Sequence, residues 1–208
     1  MFDKNRTTRF LNESDRTQLS FTNSGVEYED VIFLVEELNK HSNVSILVIH
    51  RDNLDYACAA KLAELRYVTE LNLSHNDISA RGAIALLQNP HFEKLDLSNN
   101  GFRNPQQQPC LVEAIKNNHT LVELKITRSG ISKENMQEIE NHFKKLEAAK
   151  LNGHTSEAVS TGSLASFSSN ACALFNANNP PASPETKVMP PEQSKPSKVN
   201  LSCGGLCH

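Results

Sequence analysis

At 208 residues, with 38% hydrophobic content and a net charge of −3, the chain is long enough for one ordinary domain but too polar for all of it to pack. Residues 1–150 carry 18 Lys+Arg against 21 Asp+Glu, and residues 151–208 carry three of each. Neither part has the basic excess that wraps nucleic acid or coats an anionic membrane, and the longest apolar run, "VIFLV" at 31–35, is far short of the roughly 20 residues a membrane helix needs. The N-terminus, "MFDKNRTTRF", lacks the apolar stretch of a secretory signal. Cysteines at 58, 110, 172, 203 and 207 are odd in number and scattered, which fits a reducing, cytoplasmic setting better than a disulfide framework.

Residues 1–16, with Phe2, Phe10 and Leu11, are expected to cover the end of whatever follows. Five similar blocks come next: "LSFTNSGV" from Leu19, "LVIHRDNL" from Leu47, "LNLSHNDI" from Leu71, "LDLSNNGF" from Leu95 and "LKITRSGI" from Leu124. Their starts are 28, 24, 24 and 29 residues apart. Within each block apolar and polar residues alternate, as in a strand with one buried face; in the third, Leu71 and Leu73 point in while Asn72 and Ser74 point out.

Between blocks the period becomes helical. Val31, Leu34, Val35 and Leu38 recur at i, i+3, i+4 and i+7, and Ile84 and Leu87 follow the Gly82–Ala83 pair in the third unit. The prolines of "RNPQQQPC" at 103–110 should break any helix before Cys110. After the fifth strand, Met136, Ile139, Phe143 and Leu146 form one apolar stripe. Such strand–helix units cannot bury their own core faces and must stack.

From Asn152 onward, ten serines and six prolines in 57 residues predict a disordered tail. One segment in it, "SLASFSSNACALF" at 163–175, has the pattern of a short amphipathic helix.

"VTELNLSHNDISARGAIALLQ" and "LVEAIKNNHTLVELKI" resemble leucine-rich repeats of the ribonuclease-inhibitor-like type. Val68, Leu71, Leu73 and Asn76 match the strand half of that pattern; Leu111, Ile115, Asn118 and Leu121 match the passage from helix to strand. The resemblance implies an α/β solenoid, a horseshoe segment of about five units, with parallel strands on a concave face and helices on the convex one. The expected organisation is an N-terminal cap at 1–16, the solenoid at 17–150 and the Ser/Pro-rich tail at 151–208. In the family an asparagine bonds the turn backbone; Asp52 in the second unit, and serine in the first and fifth, imply looser turns. The chain also resembles, in size and style, small effectors that intracellular bacteria inject into host cells, which implies a host-cytosol location.

Ser74, His75 and Asp77 invite comparison with a hydrolytic triad, but contiguous residues rarely converge as a triad must. Their spacing is that of a strand end and its turn. No catalytic, metal or cofactor assignment follows, and Cys58 and Cys110 read as small buried thiols on convex helices.

Binding to a protein is the expected function. The outward ladder gives Ile46, Val48, His50 and Arg51 as an amphipathic cluster. Glu70, Asn72, Ser74, His75, Lys94, Asp96, Asn99, Glu123, Lys125 and Arg128 are its polar continuation. Interfaces rest on a few such anchors. An alternative is an adaptor that recruits an enzyme in trans through its tail. Incompletely capped ends would allow weak self-association.

Overall fold

The computed structural model describes residues 1–13 and 17–151. The expected tail, its 163–175 segment, and Cys172, Cys203 and Cys207 lie outside the described residues.

Helix α1 (Lys4–Glu13) precedes five strand–helix units: β1 (Gln18–Thr22) with α2 (Tyr28–Leu38), β2 (Ile46–His50) with α3 (Tyr56–Leu62), β3 (Glu70–Asn72) with α4 (Ala80–Leu87), β4 (Lys94–Asp96) with α5 (Gln108–Asn117), and β5 (Glu123–Lys125) with α6 (Lys133–Leu151). The strands pair in parallel in the order β1-β2-β3-β4-β5. Each helix packs on the next, from α2 to α6, so the helices form one layer on one face of the sheet.

The register puts Leu19, Leu47, Leu71, Leu95 and Leu124 side by side. The first four are at most 6% exposed. Burying a leucine contributes about 2 kcal/mol relative to leaving it in water, and neighbouring units share the cavity each side chain fills. Val31, Leu34, Val35 and Leu38 are all buried on the sheet side of α2. Where α4 meets α3, a Cβ on Gly82 would lie 2.9 Å from Ile78 Cγ2 and 3.0 Å from Ala59 Cβ, so the close approach requires glycine.

The turn after each strand from β2 to β5 is held by one side chain that bonds the unit before it. Asn76 Oδ1 accepts from the N–H groups of Asp52 and Leu54, both at 3.0 Å, while its amide nitrogen donates to the carbonyls of Ile49 (2.8 Å) and Leu73 (3.0 Å). Asn100 accepts from the Ile78 N–H (3.0 Å) and donates to Leu73 (2.9 Å) and Leu97 (3.0 Å). Ser129 reaches only carbonyls, those of Ile126 (2.7 Å) and Leu97 (3.2 Å). Asp52 Oδ1 accepts from Ser24 (2.6 Å) and Val26 (3.2 Å), but Asp52 Oδ2 is buried without a partner among the described residues. A carboxylate has no proton for the carbonyls that an asparagine amide would meet there.

A second set of asparagines stitches the ends of the helices. Asn39 donates to the Glu64 carbonyl (3.1 Å), Asn89 to those of Ala63 (2.9 Å) and Leu65 (2.7 Å), and Asn118 to that of Leu87 (2.8 Å).

The helix after the insertion corrects one expectation. Helix α5 begins at Gln108, before Cys110, with Pro109 in its first turn, where the missing N–H is not required. Gln108 itself is only 4% exposed. It donates to the carbonyls of Phe102 (2.8 Å) and Gly130 (3.1 Å) and accepts from the Ser132 N–H (2.9 Å), tying the fourth unit to the fifth.

At the start of the stack, Leu11 is buried, and the Phe2 ring lies 5.1 Å from Phe21 and 6.2 Å from Phe33. Lys4 pairs with Asp30 at 3.3 Å. At the other end Ile139 of α6 is buried, Met136 and Phe143 are half-buried, and Leu146 remains exposed.

Candidate functional site: the open face of the sheet

Among the described residues nothing covers the sheet face away from the helices, and the repeat arranges its side chains in four rows. At the strand starts Gln18, Ile46, Glu70, Lys94 and Glu123 are in register, and at the strand centres Ser20, Val48, Asn72, Asp96 and Lys125. His50 sits opposite Thr22 in the third row. Both Ile46 and Val48 are half-buried, on a face where their counterparts are otherwise polar. They line a shallow concavity of about 300 Å³ together with Asn72, Asp96 and Lys125.

Much of the charge in the first two rows is used within the chain. Lys94 pairs with Glu70 across strands, and Lys125 pairs with Glu123 at 3.0 Å along one strand. Asn72 Oδ1 accepts from the Ser74 N–H (3.0 Å) and the Ser74 hydroxyl (2.7 Å), and Asp96 Oδ1 accepts from the Ser98 N–H (3.0 Å). Ser74 is thereby 8% exposed. The sequence reading offered it to a partner; the structure folds its hydroxyl back onto Asn72, leaving it little to give.

The fourth row follows the strands. Asn23, Arg51, His75, Asn99 and Arg128 all have left-handed backbones, with φ between 49° and 61°. One turn geometry thus recurs in every unit. Asparagine tolerates that region, whereas longer side chains are uncommon there. Arg51, His75 and Arg128 are exposed, and among the described residues neither arginine forms an ion pair.

Two histidines connect the rows. The His50 and His75 rings meet edge to face, with centroids 4.9 Å apart. Burial lowers the His50 pKa from its ordinary value, and the nearby His75 and Arg51 lower it further. A neutral His50 beside two basic neighbours is a surface that gains charge on mild acidification.

The triad reading gains nothing from these contacts. Ser74 bonds Asn72, and His75 packs on His50. Among the described residues no group of three or more His, Cys, Asp or Glu is arranged to hold a metal. Burial pushes the free Cys58 thiol up to about 12, far from a reactive thiolate. Cys110 is buried on α5, 8% exposed.

A second concavity, of about 770 Å³, lies between α1 and β1 and is lined by Phe2, Phe10, Phe21 and Arg6. The sequence assigns Phe2 and Phe10 to the cap and Phe21 to the first strand block, with an incompletely capped end as a candidate contact surface.

The comparisons with known proteins agree with this geometry. A leucine-rich repeat family model matches residues 64–87 and 88–105. No curated protein matches the chain. Among solved structures, the tropomodulin C-terminal domain from Caenorhabditis elegans is 16% identical with a TM-score of 0.58, covering 73% of this chain and 98% of that one. A structure of leiomodin-1 actin-binding site 2 is 20% identical with a TM-score of 0.58, covering 73% of this chain and 96% of that one. At these identities the likeness is one of fold. The fold is that of a leucine-rich repeat solenoid, with the strand–helix repeat, the parallel sheet and, in the third and fourth units, the asparagine-bonded turn.

Proposed function

We propose that the chain is a non-enzymatic protein-binding module whose partner docks on the open sheet face, centred on β2. The observation that supports this most is the pair Ile46 and Val48, part-exposed apolar side chains on an otherwise polar ladder. His50 and Arg51 extend that patch toward the left-handed row, and Asp96, Lys125 and Arg128 supply charge at the far end. A short ladder suits a small domain or an extended peptide, whose binding would inhibit or recruit it.

Leiomodin-1's matching segment is an actin-binding site, which makes actin the first probe to try. The test compares the wild-type chain with a Val48→Asp, His50→Ala variant in affinity capture from lysate and in binding to purified actin. The variant is expected to lose the captured protein while its thermal unfolding stays the same. Capture retained by a folded variant moves the site away from β2.

A further inference from the structure

Strand β5 is the last of the sheet among the described residues, and none of them pairs with its outer side. The Glu123 N–H donates to the Glu93 carbonyl (3.1 Å), and the Leu97 N–H donates to the Lys125 carbonyl (2.7 Å). Both residues therefore aim their backbone groups at β4. Successive residues of a strand face opposite edges, so the N–H and C=O of Leu124 point outward. Among the described residues nothing pairs with them. The apolar cover is also thin here. Leu124 is half-buried where its four register partners are buried, and Val122 is 62% exposed.

Proteins usually guard such an edge with charge. The charge on β5 is arranged differently. Its sequence, Glu123-Leu124-Lys125, is acidic on one side of its centre and basic on the other. Turned end for end about Leu124, the strand becomes its own electrostatic complement.

We propose that β5 is a self-complementary edge through which two copies of the chain join, antiparallel, with Leu124 at the two-fold axis. The Leu124 N–H and C=O of each copy bond those of the other, forming the narrow pair of an antiparallel ladder. Glu123 then lies opposite the partner's Lys125, and Lys125 opposite the partner's Glu123. The ion pair within each strand becomes two across the interface, on the open face of the sheet. On the opposite side Leu124 and Val122 gain cover. The interface is isologous and closes at two copies, and the two sheets continue as one with ten strands, from the five in each copy.

The test is sedimentation velocity on the full chain over a wide concentration range, with circular dichroism to confirm that each variant is folded. Wild type is expected to show a monomer–dimer equilibrium. Lys125→Glu alone, or Glu123→Lys alone, places like charges opposite each other and should weaken self-association about tenfold or more. An equimolar mixture of the two variants should dimerise again, and so should the doubly exchanged chain, E123K with K125E. The proposal is overturned by a wild type that stays monomeric throughout. It is equally overturned by single variants that dimerise as well as wild type, or by species that grow beyond two copies, the mark of a head-to-tail contact between β5 and β1.

Discussion

Two adjacent positions of the same turn follow opposite rules. The inner position holds Ser24, Asp52, Asn76, Asn100 and Ser129, half-buried at Ser24 and Asn76 and buried at the other three, and the hydrogen bonds between units set what it can be. The outer position just before it holds Asn23, Arg51, His75, Asn99 and Arg128, all left-handed and all exposed except half-buried Asn99. At the first, the residues that depart from asparagine lose bonds: Ser129 reaches no N–H, and Asp52 strands an oxygen. At the second, two of five side chains, Arg51 and Arg128, are poor choices for their backbone, while asparagine and histidine are types enriched there. The inner row reports what the frame needs; in the outer row two arginines depart from it, which is the basis for proposing that this row meets a partner.

The comparison can be broken most severely at its centre. Asn100→Ala leaves the buried Ile78 N–H without its acceptor and takes one of two donors from each of the Leu73 and Leu97 carbonyls, which keep Asn76 and Ser129, and should cost about 3 kcal/mol in denaturant unfolding. Asn76→Asp copies the Asp52 situation into a turn that now satisfies every bond, for a loss of about 2 kcal/mol. The reverse change, Asp52→Asn, supplies the missing donor and should add about 1 kcal/mol, read as a higher melting temperature.

The smallest effect is one of pH. Burial lowers the pKa of His50 and of His142, each with help from nearby basic groups. Between their lowered values and the ordinary 6.5, the unfolded chain binds protons that the folded chain refuses. Stability therefore falls as pH drops through 6.5 and levels off below the lowered values. His50→Gln should make the melting temperature less sensitive to pH in that window.

The ladder's register was legible in the sequence because it follows from the repeat alone. Once Leu19, Leu47, Leu71, Leu95 and Leu124 are aligned, every outward row is fixed, and the pairing from β1 to β5 reproduces it. The apolar stripe of α2 was equally plain, since its period and its burial are one fact. Other features depend on contacts that a pattern does not carry. The burial of Ser74 comes from a hydroxyl folding onto Asn72 two residues away. The role of Gln108 depends on Gly130 and Ser132, more than twenty residues on, and on a proline that starts a helix instead of stopping one. The left-handed row was hidden because Arg51 and Arg128 are not types that announce such a backbone, and Asn23, His75 and Asn99 are common in ordinary loops as well. Asn39 and Asn89 could have been found by aligning the helix ends on Asn118.

The claim that the outer row serves binding in preference to the frame is tested most directly by giving it the residue the frame prefers. A chain carrying Arg51→Asn, His75→Asn and Arg128→Asn should be relieved of backbone strain and gain about 1–2 kcal/mol of stability. Thermal unfolding and partner capture are measured on the same preparation. The account predicts a higher melting temperature together with loss of the captured protein. A higher melting temperature with capture at the wild-type level would contradict it.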